Sequence, residues 1–236
     1  MNTDRDVPHL PPVDPRAARH VPASSLSPEL LASLLADGDD ELAAWTVRHA
    51  LEEQPRATVF DGLVMQAMRL VGERWLAGEW SIADEHWATQ TLVRALDAIR
   101  PVIGPEGRVG PFAVLAGPSG EMHSVGLVCL EQCLREAGWQ VANLGPDCPA
   151  ADLARFVGER EPQLIALTAS HPERVASLLE SIAAVREVTG RRVPVLLGGP
   201  LAARPDAATT LGVDWTGTTI AGALAFAASI APDAAR

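Results

Sequence analysis

The chain has no tyrosine, and aromatic residues make up only 4% of its 236 positions. Six of the aromatic side chains are tryptophan and four are phenylalanine. No run of about 18 apolar residues occurs, which argues against a membrane span. The first residues, with Asp4, Arg5 and Asp6, lack the apolar core of a secretion signal. Basic residues are scarce: 19 Lys and Arg against 30 Asp and Glu leave a formal net charge of −11. Affinity for nucleic acid rests on Lys and Arg contacts to phosphate, so no direct nucleic-acid partner is expected. Cysteine is sparse too. Cys129, Cys133 and Cys148 form no C-x-x-C, and Cys129 and Cys133 share a helix face inside an apolar run. The expectation is buried, reduced thiols in a cytoplasmic protein.

Apolar residues make up 47% of the chain, enough for a real core. Residues 1–26 mix Pro, Arg and Asp without periodicity and read as a disordered lead-in. Order is expected from Ser27-Pro28-Glu29, an N-cap with proline at the first helical position. The pattern predicts helices over 28–36, 40–53 and 57–77. A fourth opens at the capping-box sequence Ser81-Ile82-Ala83-Asp84 and runs to about 99. Short connections between them predict an antiparallel four-helix bundle over 27–100. Residues 101–110, rich in Gly and Pro, read as a linker.

The pattern then changes. Short apolar runs recur at 112–116, 139–144, 164–167 and 193–197, with a fifth near 213–215. Helical segments lie between them, which is the signature of βα units and a parallel sheet over 111–236. The expected fold is thus α/β plus all-α: a helical bundle, then a Rossmann-like sheet of five parallel strands. The loops after the strands share one edge of such a sheet, where open α/β sheets bind ligands.

Those loops carry the chemistry. After the first strand comes Gly117-Pro118-Ser119-Gly120, then Glu121-Met122-His123-Ser124-Val125-Gly126. This is not G-x-G-x-x-G, and an acidic residue beside a would-be phosphate counts against a dinucleotide. The carboxylate of Glu121, two residues before His123, can hold one ring nitrogen and leave the other for a metal. Gly126 lets a flat ligand approach the backbone. Thr168 and Ser170 offer hydroxyls at the end of the third strand, and Gly198-Gly199 offers bare backbone at the end of the fourth.

On these residues the chain resembles the cobalamin-binding family, whose pattern is D-x-H-x-x-G, then S-x-L or S-x-T, then G-G. Here the same places hold Glu121-x-His123-x-x-Gly126, Thr168-Ala169-Ser170 and Gly198-Gly199. The resemblance implies that His123 is the lower cobalt ligand. It implies that Glu121, Met122, Ser124, Val125 and Gly126 surround that ligand, and that Thr168, Ser170, Gly198 and Gly199 line the slot for the nucleotide tail. Glu for Asp at 121 lengthens the carboxylate arm by one methylene.

In the helical half, Trp75 is followed ten residues later by Glu85-His86. This resembles the W…EH signature of the light-sensing regulators of the CarH type. There the resemblance implies that Trp75, Glu85 and His86 cap the upper face of adenosylcobalamin. Two departures stand out. Residues 1–27 are too short for a helix-turn-helix, so an output other than direct DNA binding is expected. Leu76 stands where those regulators carry a histidine.

The function expected from the resemblance is a non-enzymatic light sensor, in which photolysis of adenosylcobalamin shifts the bundle and changes homo-oligomerisation or docking of a protein partner. The resemblance also extends to photocobilins, which add biliverdin or another bilin. Two rival expectations are a corrinoid carrier for a methyltransferase and a light-independent cobalamin-occupancy regulator.

Overall fold

The computed structural model describes residues 26–102, 110–190 and 192–231. Residues 1–25 of the expected lead-in and the middle of the linker, 103–109, lie outside the described residues. Helix α1 (Pro28–Asp37) starts at Ser27, whose side chain accepts from the Leu30 N–H, and stops at Gly38 in the left-handed conformation. Helix α2 (Asp40–Leu51) is capped by the Asp39 carboxylate at the Leu42 N–H. It ends two residues earlier than the expected 53, where a turn leads to Pro55. A single rod follows: α3 (Arg56–Val59), a π-helical turn (Phe60–Val64) and α4 (Met65–Leu76). Helix α5 (Ile82–Ala98) opens with the reciprocal Ser81–Asp84 capping box.

The C-terminal half alternates strand and helix. Strands β1 (Phe112–Ala116), β2 (Gln140–Asn143), β3 (Leu164–Thr168), β4 (Val195–Gly198) and β5 (Trp215–Thr216) form one parallel sheet in the order β2-β1-β3-β4-β5. Helices α6 (Val125–Glu136), α7 (Ala150–Arg160), α8 (Val175–Thr189), α9 (Ala207–Leu211) and α10 (Ile220–Ile230) connect and cover it. The chain reverses sheet direction between β1 and β3, which creates the crevice at the C-terminal ends of those strands. The second strand is shorter than the expected 139–144, because Trp139 and Leu144 lie outside the paired register.

The core explains the uninterrupted apolar runs. Along β1, Ala113 and Leu115 face one layer while Val114 and Ala116 face the other. Leu153, Val157, Leu178 and Val185 from α7 and α8 fill the second layer. The first layer is continuous with the bundle: Phe60, Leu92, Leu96, Leu130, Leu134 and Trp139 belong to one buried cluster. Strands buried on both faces have no polar side to alternate with. Cys129 and Cys133 are buried and free in this layer, and burial pushes the Cys133 thiol up to about 12.

Polar ties reinforce the shared core. In the π turn, Asp61 Oδ1 accepts from the Ile220 N–H at 2.7 Å and Oδ2 from the Ala221 N–H at 3.0 Å. The bundle therefore caps the N-terminus of a helix that lies 159 residues further along the chain. Nearby, Arg56 donates to Gln132 Oε1 and to the Ile99 carbonyl, and pairs with Glu136. Gln132 in turn donates to the Leu96 carbonyl. Arg100 reaches Glu131, a buried carboxylate that also accepts from Arg135 and Asn143.

Loss of a helix cap costs about 0.5–2 kcal/mol. Asp61→Ala is therefore expected to lower the unfolding free energy by that amount, read as a lower urea midpoint with an unchanged slope, and Asp61→Asn to recover part of it. An Asp61→Ala midpoint equal to the parent's would show that the cap contributes nothing.

Candidate functional site

The residues that sequence reasoning singled out in the C-terminal half converge at the C-terminal edge of the sheet. Glu121 is the centre of this cluster and is only 1% exposed. Its Oε1 lies 2.6 Å from His123 Nδ1 and accepts from the His123 N–H at 2.9 Å. Its Oε2 accepts from the Ser170 N–H at 2.6 Å. One carboxylate thus joins the loop after β1 to the loop after β3. An ionised carboxylate only accepts, so Nδ1 carries a proton and Nε2 of the neutral ring keeps its lone pair. No hydrogen bond among the described residues engages Nε2, and the His123 side chain is 61% exposed.

The electrostatics follow from these contacts. Burial pushes the Glu121 carboxyl up, but the hydrogen bonds from the His123 ring and from the His123 and Ser170 N–H groups outweigh it and leave it below its ordinary value. The Glu121 hydrogen bond lifts the His123 imidazole above its ordinary value against the cost of burial. The charges of Glu121 and Glu85 add to that lift, and Arg174 opposes it.

Trp75 ends α4, and Glu85 and His86 lie in the first turn of α5. Glu85 accepts from Thr89 and stands 3.6 Å from His86. Trp75, Leu76, Trp87 and, beside His123, Met122 are exposed apolar side chains. Ser124 is half-buried at the start of α6, and Val125 is buried behind it.

The glycines divide into two kinds. A Cβ on Gly126 would meet nothing within 4 Å, so this face of α6 is open to a ligand. Gly199 has φ +86°, and a Cβ there would meet the Ala169 carbonyl and Thr168 Oγ1 at 2.7 and 2.9 Å. The fold itself demands that glycine, while Gly198 is in ordinary contact only. Thr168 is 7% exposed, and its hydroxyl has no hydrogen-bond partner among the described residues. An open glycine face, an oriented imidazole and a nearly buried free hydroxyl fit a large flat metal chelate with a tail. Among the described residues no group of three or more His, Cys, Asp or Glu is placed to hold a bare ion. One oriented imidazole suits a metal whose other positions its own chelate fills.

Three further residues line this edge. Asp147, at positive φ, accepts from the Gly120 N–H at 2.7 Å. The His171 ring meets His123 edge-on, with centroids 5.4 Å apart. Arg174 lies over the backbone of Gly120. Asn or Asp at positive φ is a turn signal, but the other two depend on the packing of neighbouring loops.

Comparison with known proteins agrees with this geometry. Two family models, each described as a B12 binding domain, match residues 112–225 and 29–100. The HTH-type transcriptional repressor CarA of Myxococcus xanthus is 36% identical over 142 residues, which is 59% of this chain and 46% of the repressor. The repressor CarH of the same organism is 32% identical over 63% of this chain and 49% of its own length. The chain thus spans about half the length of these relatives. The solved structure of the Methanosarcina barkeri monomethylamine corrinoid protein superposes with a TM-score of 0.69. At 17% identity, over 85% of this chain and 96% of that one, it shows a shared fold.

Glu121→Ala removes the acceptor of both loops. Amide exchange at His123 and Ser170 is expected to speed up at least tenfold, a loss of about 1.4 kcal/mol of protection. The Gly120 amide, held by Asp147, is expected to keep its rate. Unchanged exchange at Ser170 would show that the carboxylate does not tie the loops.

Proposed function

Because the chain belongs to the B12 binding domain family over both its helical and its α/β parts, we propose that it is a light sensor built on adenosylcobalamin. The family supports cobalamin as the ligand; the adenosyl form and the response to light are our own reading. The observation that carries it is the Glu121-oriented, open-faced His123 at the sheet edge, in a chain whose helical part carries Trp75, Glu85 and His86 around the turn between α4 and α5.

In this reading His123 Nε2 would hold the cobalt. Glu121 keeps the ring in the tautomer that leaves Nε2 free. Thr168 and Ser170 offer donors to the tail, Gly198 lies along it, and Gly126 lets the flat ligand approach α6. When bound, adenosylcobalamin supplies a cobalt–carbon bond that visible light breaks. Trp75 would offer it a flat apolar surface, and Glu85 and His86 would offer hydrogen bonds to the adenosyl group. Once those contacts are gone, the corner is free to move while Asp61 and Arg56 hold the other end of the bundle. The shift changes self-association or the docking of a protein partner. Leu76 gives cobalt no ligand, so His86 is the imidazole available at that corner.

The test is an absorption spectrum and elution volume of the protein with adenosylcobalamin, dark and then illuminated. The expected result is dark binding followed by a light-driven change in both. Photolysis with no change in size or shape would contradict the sensor and favour a corrinoid carrier, the reading that the shared fold also supports. Trp75→Ala is expected to weaken the adenosyl form about tenfold more than the hydroxo form. Equal weakening of both would remove the cap.

A further inference from the structure

Arg174 stands out among the cations of this chain. Every other arginine of the described residues has a carboxylate, a carbonyl or an aromatic ring against its guanidinium. Among the described residues the Arg174 guanidinium has no hydrogen bond, ion pair or ring contact. It is half-buried rather than extended into solvent. It ends the short 3-10 turn Pro172–Arg174 after β3 and lies over Gly120, in the loop that carries His123. Its Cζ stands 3.2 Å from where a Gly120 Cβ would be, so any side chain at 120 would displace it. Gly120 also has φ +78°, so the loop is built to leave this space.

The nearby carboxylates are already committed. Glu121 is taken by His123 and Ser170, and Asp147 by the Gly120 N–H. His171, three residues before Arg174, adds a second nitrogen donor against the His123 ring. A half-buried guanidinium with no acceptor is costly unless an anion completes it. Its place beside the metal-facing imidazole and Thr168–Ser170 limits what that anion is.

We propose that Arg174, with His171 beside it, forms an anion subsite for the phosphodiester in the nucleotide tail of the bound cobalamin. This inference rests on the cobalamin reading above. The phosphodiester is the fixed negative charge of that ligand, and it lies between the corrin and the terminal base. A planar guanidinium offers it two parallel N–H donors, which an ammonium does not. The turn after β3 thereby selects cobalamins that carry a complete tail.

The test compares hydroxocobalamin with hydroxocobinamide, the same corrin without phosphate and base, by absorbance titration at low salt. Arg174→Gln is expected to weaken hydroxocobalamin about tenfold or more and to leave hydroxocobinamide within about twofold. Arg174→Lys is expected to recover part of the loss, because the charge remains while the fork geometry is gone. The loss is expected to shrink as salt rises. Equal weakening of both corrins, or no weakening of either, would overturn the subsite. A parent protein that binds neither corrin would overturn the cobalamin reading itself.

Discussion

The site depends on the buried Glu121 carboxylate. A charge that is 1% exposed costs several kcal/mol to desolvate unless donors surround it. Three N–H donors do so here: the His123 backbone, the His123 ring and the Ser170 backbone. The same three bonds set the ring tautomer, aim the free nitrogen outward and fix the spacing of two loops from neighbouring strands. Oε1 serves the histidine while Oε2 reaches across to Ser170. The outward ring nitrogen of His123 and the end of β3 at Ser170 are therefore one mechanical unit rather than two separate features.

The second organising fact is where the helical and α/β halves are joined. Their polar ties gather at Asp61, Arg56, Gln132 and the Arg100–Glu131 pair. The corner formed by Trp75, Glu85 and His86 makes no hydrogen bond to the α/β half among the described residues. One end of the bundle is clamped and shares a core with the sheet, while the corner at the other end keeps exposed apolar side chains.

Much of this was legible in the sequence, for local reasons. Strands buried on both faces produce the apolar runs, and the caps at Ser27 and Ser81–Asp84 use residues within three positions of each other. The Glu121–His123 contact spans two residues and could be read directly. The missing parts are the long-range ones. The π turn at Phe60–Val64 scarcely alters an apolar period, and Asp61 reads as a solvated helix residue until α10 is packed against it. Glu131 likewise looks like an ordinary surface charge on α6, but Arg100, Arg135 and Asn143 close over it. Gly199 read as bare backbone for a ligand, yet Thr168 and Ala169 already require its lack of a side chain.

The central claim is that the imidazole held by Glu121 is the ligand of a cobalt corrin. Electron paramagnetic resonance tests it most directly, on the protein loaded with cobalamin and reduced to cobalt(II). Protein made with ¹⁵N-histidine and with natural histidine would be compared. The account predicts that the superhyperfine splitting from the axial nitrogen changes with the isotope, and that the change is lost in His123→Ala. A splitting indifferent to histidine labelling would contradict it, because the axial nitrogen would then come from the ligand's own base.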